Sequence, residues 1–169
     1  MNTNVGPYNY TIGTGAIIFS EDGGSILLLE EYKAPGRWGI AGGKLEPMPS
    51  LDNVTKEVLE ETGYRVRIDG LVHVYQRYDR DPQTISFIYR ATVLNRQAKP
   101  DASEVISTRW FKLAEVPWER LRFEDNRIMI QDAIEATNPL PSATIKSLPA
   151  STAGRDCGGN HSSYSQKIR

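Results

Sequence analysis

The stretch from Gly42 to Tyr64 constrains this chain more than any other: Gly-Gly-Lys-Leu-Glu-Pro-Met-Pro-Ser-Leu-Asp-Asn-Val-Thr-Lys-Glu-Val-Leu-Glu-Glu-Thr-Gly-Tyr. Pro49 and Ser50 mark a helix start, because a serine oxygen can accept the free backbone N–H groups of a first turn. Gly63 marks the stop, since glycine suits the left-handed position that closes a helix. Within that helix Glu57, Glu60 and Glu61 stand at i, i+3 and i+4 and share one face. Like charges at this spacing repel by about 0.2–0.5 kcal/mol per pair. A divalent cation turns the repulsion into attraction, and Mg²⁺ takes a few carboxylate oxygens together with waters and substrate phosphates. The pattern therefore points to a metal site for phosphate chemistry, with a solvated helix face as the alternative.

Around this segment the chain alternates strand and turn signals. Residues 11–20 and Ser25–Glu31 read as two strands joined by Glu21-Asp22-Gly23-Gly24, a hairpin. A loop at Ala34-Pro35-Gly36-Arg37 leads to Trp38-Gly39-Ile40. Strands are expected again over 64–78, interrupted at Asp69-Gly70, and over 84–94. A polar loop over 95–103 precedes another strand over Val105–Lys112, with Trp110 and Phe111. A second helix spans about Phe123 to Ala136, with Phe123, Ile130, Ala133 and Ile134 able to face a core. Strands mixed with two separated helices imply an α/β fold: a mixed sheet with helices packed on it. Residues 1–138 are expected to form one domain. Residues 139–169 turn to Ser, Gly, Pro, Thr and Asn and are expected to form a flexible tail, since they carry too little apolar surface to offset ordering entropy.

Composition excludes several classes. The 169 residues suffice for a full core, and the formal charge of −1 with interspersed signs gives no bulk grip on nucleic acid. No apolar run is long enough to span a bilayer, and the N-terminus lacks a basic region followed by an apolar core. The single cysteine, Cys157, fits a reducing compartment, so a cytoplasmic protein is expected. Asn53-Val54-Thr55 and Asn160-His161-Ser162 match a glycosylation pattern that this setting makes a chance match. Gly13-Thr14-Gly15 lacks the third glycine of a dinucleotide fingerprint. Trp38, Tyr32 and His73 read as packing residues in preference to ligand contacts. Arg37, Arg77 and Tyr78 read as either pocket or surface.

Taken together, these residues resemble the Nudix box. Lys56-Glu57-Val58-Leu59-Glu60-Glu61-Thr62-Gly63-Tyr64 matches its second half, with lysine for arginine, and Gly42-Gly43-Lys44-Leu45-Glu46-Pro47 matches its opening. Trp38 and the run Arg109-Trp110-Phe111 with Leu113 resemble the flanks, so the likeness covers roughly residues 10–137. The box is one residue short. The position of its first glutamate falls on Met48 or Pro49 and the proline before the double glycine is Ala41, so the usual partner of the basic residue is missing. The resemblance implies a Nudix-type α/β/α sandwich with a mixed β-sheet. It implies Mg²⁺-dependent hydrolysis of a pyrophosphate in a nucleoside diphosphate linked to another group, such as ADP-ribose or a nucleoside triphosphate, with Mn²⁺ as a substitute ion. Glu57, Glu60 and Glu61 would hold the metal, with Glu104 from a later loop joining them and Glu57 or Glu104 serving as base. Gly42, Gly43 and Lys44 would face phosphate or metal. A small-molecule nucleotide is the implied partner, and a homodimer is compatible with the family. The alternative is a Nudix-fold module that binds a nucleotide or a protein without turnover; a cap-removing enzyme is disfavoured by the absence of a basic stripe.

Overall fold

The computed structural model describes residues 9–79, 81–96, 103–136 and 145–147. Their order is β1 (Tyr10–Phe19), β2 (Ser25–Glu31), β3 (Ala41–Lys44), α1 (Ser50–Thr62), β4 (Tyr64–Arg77), β5 (Gln83–Arg96), β6 (Val105–Lys112), α2 (Glu124–Glu135) and β7 (Ile145–Ser147). The strands form one mixed sheet in the order β6-β2-β1-β5-β4-β7, with β3 also on β1. β1 runs parallel to β5 along its whole length, from Tyr10 opposite Gln83 to Phe19 opposite Thr92. Its other edge is shared. β3 pairs antiparallel with Gly13–Ala16, and β2 pairs with Ile18 and Phe19. β4 and β7 are parallel, while β4 with β5 and β2 with β6 are antiparallel.

Two apolar layers explain why β1 and β2 carry unbroken apolar runs where a half-exposed strand would alternate. Ile17, Phe19, Ile26 and Leu28 face one side, together with Met129, Ile130 and Ala133 of α2. Ala16, Ile18, Leu27 and Leu29 face the other, together with Val54 and Val58 of α1. A strand covered on both faces is apolar at every position. At about 25 cal/mol per Å² of apolar area removed from water, these layers are the main term favouring the fold. The result is the expected α/β/α sandwich.

The expected elements agree with those found, with five differences. β3 is a strand that strand propensity does not reveal, because two of its four residues are glycine. β4 is continuous through Asp69-Gly70, and the interruption is absorbed as bulges. The Ser50 hydroxyl does not cap α1; it bonds the Tyr89 hydroxyl at 2.7 Å, tying the helix start to β5. Phe123 lies outside the core, 49% exposed just before α2, whereas Ile130 and Ala133 are buried as expected. Within the expected tail, Ile145–Ser147 forms β7, since the edge of β4 offers unpaired backbone groups that three residues can satisfy. The rest of that tail, with Cys157, Asn160 and His161, lies outside the described residues. Gly63 closes α1 as expected, with φ +73° and its N–H bonded to the Leu59 carbonyl at 2.8 Å.

The pairing of β3 with β1 depends on Gly42. Its φ is +153°, and a Cβ there would stand 2.6 Å from the Gly15 Cα. Gly42→Ala is expected to lower stability by about 2 kcal/mol or more. Urea denaturation measures this, and a loss under ~0.5 kcal/mol would show that β3 tolerates a side chain.

Candidate active site

The face of α1 that meets the sheet carries Asn53, Val54, Val58, Glu61 and Thr62, all buried. Glu61 thus belongs to the same stripe as the helix's core residues, only 7% exposed. Its Oε2 accepts the Gly42 N–H at 2.7 Å, which links the helix to β3. Burial pushes its carboxyl up to about 8, against the pull of the Gly42 bond and with added repulsion from Glu57, Glu104 and Glu60. Glu57, one turn earlier, lies over Gly43. A Cβ at Gly43 would stand 2.5 Å from Glu57 Oε2, so any other residue there would push this carboxylate from its place. Burial also raises the Glu57 pKa, Lys56 lowers it, and Glu60, Glu46 and Glu104 raise it. The double glycine thus serves by omission: β3 has no side chains between its backbone and the carboxylates.

Glu104 is exposed just before β6, and its carbonyl accepts the Tyr32 N–H at 3.1 Å. It lines a cleft of about 830 Å³ together with Glu57, Glu60, Glu61, Gly42 and Gly43. Glu60 is turned outward, 3.8 Å from Lys56 Nζ with about half its side chain exposed. Lys44 is exposed on the rim of the same cleft. All seven residues singled out from sequence therefore line one cavity.

Whether they suit a divalent cation follows from the donor set. Hard carboxylate oxygens, partly withdrawn from water and repelling one another, are what Mg²⁺ or Mn²⁺ would stabilise. Glu57 and Glu61 meet that description, with Glu104 contributing to the field at both. Among the described residues no three acidic, histidine or cysteine side chains stand close enough to share one ion as they are. A shared ion therefore requires side-chain rotation, and Glu60, held only by an exposed ion pair with Lys56, is the side chain least constrained from making it.

The missing glutamate of the shortened box is replaced by other contacts. Lys56 has a carboxylate partner after all, Glu46, at 2.6 Å. The stronger link is Asn53, fully buried: its Nδ2 donates to Thr14 Oγ1 at 2.8 Å and Lys44 O at 3.3 Å, and its Oδ1 accepts the Glu46 N–H at 2.9 Å. One side chain ties α1 to β1, β3 and the loop between. Asn53 opens a chance glycosylation match, yet its spacing holds a signal: Asn53, Glu57 and Glu61 recur at i, i+4 and i+8.

The other wall of the cleft comes from β4, β5 and α2. Arg77 is only 3% exposed, and its Nε donates to Asp125 Oδ2 at 2.7 Å. A second contact runs from Nη2 to Asp125 Oδ1, and Nη1 reaches Asp79 at 3.2 Å. Arg122 pairs with Glu31, and both line the cleft. Trp38 is packing, as expected, edge-on to Phe111 at 4.9 Å between ring centres. Tyr32 is exposed, Arg37 donates to the Glu119 carbonyl at 2.9 Å on the surface, and His73 packs edge-on to Tyr75 at 5.9 Å.

A family model described as NUDIX domain matches residues 9–132. The chain belongs to the Nudix family. A Bacillus subtilis protein named putative 8-oxo-dGTP diphosphatase is 31% identical over 110 residues, covering 64% of this chain and 70% of the relative. A Nudix hydrolase structure from Nitrosomonas europaea superposes with a TM-score of 0.70 at 22% identity, covering 85% of this chain and 82% of that one. An ADP-ribose pyrophosphatase structure from Streptococcus suis gives 0.63 at 24% identity, covering 80% and 98%. The family match and the Bacillus relative make the protein a Nudix-type pyrophosphohydrolase, a class that uses divalent cations. No described helix is long and apolar enough to cross a membrane.

The position of Glu61 predicts a pH effect on stability. Its carboxyl titrates near 8 in the folded metal-free protein against an ordinary value of 4.5. The folded state therefore holds the proton more tightly than the unfolded chain. That contribution is complete below pH 4.5 and is lost as pH rises to 8. In EDTA, Glu61→Gln is expected to melt above the parent, by a margin that widens between pH 5 and pH 8.5. Added Mg²⁺ is expected to raise the melting temperature of the parent alone. Parallel melting curves across that range would contradict the buried, protonated carboxyl.

Proposed function

We propose that this Nudix enzyme hydrolyses the pyrophosphate of a nucleotide derivative, a nucleoside triphosphate or an ADP-ribose-like compound, with Mg²⁺ as its ion and Mn²⁺ as a substitute. The observation that carries the reading is the pair Glu61 and Glu57, both with raised pKa values, set over Gly42 and Gly43 at the floor of a nucleotide-sized cleft. The names borne by the Bacillus and Streptococcus relatives support the substrate class.

Glu57, Glu60 and Glu61 would hold the ion. When bound, it neutralises charge on the phosphate oxygens and lowers the pKa of a coordinated water. The chain's own groups do the rest. Glu61, fixed by the Gly42 N–H, holds the helix face in register with β3. Glu57 is the better placed of the two candidate bases, because it lies half-buried over Gly43 at the cleft floor, whereas Glu104 is exposed. It takes the proton of the attacking water as the new P–O bond forms and the bridging P–O bond breaks. Lys44, on the rim, offers a cation to the phosphates. The feature that favoured a binding-only module was the shortened box. Asn53 and the Lys56–Glu46 pair supply the link that the missing glutamate would have made, so that argument loses its force.

Turnover should be measured with Mg²⁺ against nucleoside triphosphates, nucleotide sugars, ADP-ribose and dinucleoside polyphosphates. One class is expected to be hydrolysed, and Glu57→Gln is expected to lower kcat by about 10²–10⁴-fold, the usual worth of a general base. A panel without turnover in Mg²⁺ or Mn²⁺, from a protein that still melts cooperatively, would overturn the proposal.

A further inference from the structure

Two arginines stand side by side on the surface next to the cleft. Trp38 and Leu121 form a parallel bridge, fixed by bonds of 2.8 Å from Trp38 N–H to Arg120 O and from Arg122 N–H to Trp38 O. Both bridged side chains are buried, so the residues before them, Arg37 and Arg120, lie opposite each other on the exposed face of this ribbon. Paired strands are about 4.8 Å apart, and like charges facing each other at that spacing weaken the pairing. Each guanidinium crosses to the other strand and donates to a backbone carbonyl. Arg37 Nη1 reaches Glu119 O at 2.9 Å, and Arg120 Nε and Nη2 reach Gly36 O at 3.2 and 3.1 Å. Neither arginine has a carboxylate partner among the described residues.

The acids around them are engaged elsewhere. Glu119 pairs with Arg127 at 2.7 Å, Glu31 pairs with Arg122, and Glu30 accepts the Gly36 N–H at 2.6 Å and the Ser107 hydroxyl at 3.1 Å. A chain with a formal charge of −1 therefore keeps a local excess of positive charge here. Of the five N–H groups on each guanidinium, Arg37 uses one and Arg120 two, so both forks retain donors for a ligand. A planar carboxylate would fill one fork and leave the second charge unmatched. A tetrahedral dianion can face both, and arginine forks match phosphate oxygens in spacing. The place matters too. Gly39 and Arg122, two residues further along each strand, share the same face and line the cleft; a Gly39 Cβ would stand 3.9 Å from Arg122 Cδ. Arg37 and Arg120 continue that face past the cleft lining. Six residues take the chain from Arg37 to Gly43, a span of at most about 20 Å.

We propose that Arg37 and Arg120 form a phosphate clamp on the outer rim of the cleft, separate from the carboxylates of α1. Its ligand is a phosphate dianion, either free or carried as a monoester by a nucleotide bound in the cleft. The clamp stands on its own residues; a ligand that reaches it from within the cleft rests on the reading of the cleft as a nucleotide site. The two carbonyl contacts hold the guanidinia in place beforehand, so little side-chain freedom is lost when the anion binds.

The test reads binding by NMR in EDTA, apart from any turnover. Inorganic phosphate is titrated into the protein, with sodium chloride at matched ionic strength as the comparator. Phosphate is expected to give saturable shifts at the amides of residues 36–38 and 119–122 that chloride does not reproduce. Arg37→Gln and Arg120→Gln are each expected to weaken it at least fivefold, whereas Lys112→Gln, an exposed cation on β6, stays within twofold of the parent. Arg37→Lys keeps the charge and loses the fork, and is expected to weaken binding at least twofold at an unchanged melting temperature. The source of the phosphate is read by comparing AMP with adenosine 2′,5′- and 3′,5′-bisphosphate. A bisphosphate that binds more tightly than AMP, with the gain lost in Arg37→Gln, makes the ligand-borne phosphate the occupant. Bisphosphates no tighter than AMP, beside saturable inorganic phosphate, make it the free ion. Shifts that chloride reproduces, or equal affinity in the parent and both glutamine variants, would overturn the proposal. So would an absence of saturable binding by phosphate together with bisphosphates that bind no more tightly than AMP. A working clamp in a protein without turnover would count against the hydrolytic reading alone.

Discussion

The contact between α1 and β3 is the interaction on which the rest of this structure depends. β3 is four residues long, two of them glycine, and gains no side-chain packing from those two positions. It stays in the sheet because its backbone pairs with β1 and because Glu61 accepts the Gly42 N–H. The same bond holds a carboxylate where water scarcely reaches it. A group that costs stability in the folded state is therefore fixed by the element that builds the cleft floor. That arrangement suits a site meant for a charged ligand, since a bound cation relieves the cost that the fold alone must bear.

Replacement of a motif residue need not undo its job. The shortened box lacks the glutamate that would partner the basic residue, and Lys56 cannot make an arginine's fork. Two weaker devices share the task. The Lys56–Glu46 pair is exposed, so water and salt screen it and it adds little. Asn53 matters more, because it is buried and each of its bonds replaces one that water would otherwise make. Removing one partner from such a network leaves the others unsatisfied, at about 1–3 kcal/mol for each group stranded. Register between helix and loop thus rests on an amide within the core where the family pattern uses a charge pair.

The two walls of the cleft differ in how they were built. The α1 wall is a dense set of carboxylates over bare backbone, with electrostatics that a cation would reverse. The α2 wall is partly apolar, through Ile88, Phe123 and Met129, and its Arg77 guanidinium is engaged by Asp125 and Asp79. Carboxylates crowd one wall, whereas the Arg77 cation of the other is already held in ion pairs.

Much of this was legible in the sequence because it depends on short-range physics. The strand runs, the Gly63 stop and the placing of Glu57, Glu60 and Glu61 on one helix face follow from period, turn chemistry and chain geometry, all local. Other features depended on what the chain meets far away in sequence. Nothing in Gly-Gly-Lys announces a strand until β1 is beside it. No spacing says that Glu61 is buried while Glu60 is exposed, because that depends on which side of α1 the sheet covers. Arg77 and Asp125 are 48 residues apart, and their pairing exists only once β4 and α2 are packed. Asn126 reads as an ordinary first-turn residue until burial removes its water and leaves one oxygen unpaired. The sequence by itself determined which elements form and which chemistry they carry. Burial and long-range pairing, which only the tertiary structure sets, decided which of those groups are charged, fixed or left open to a ligand.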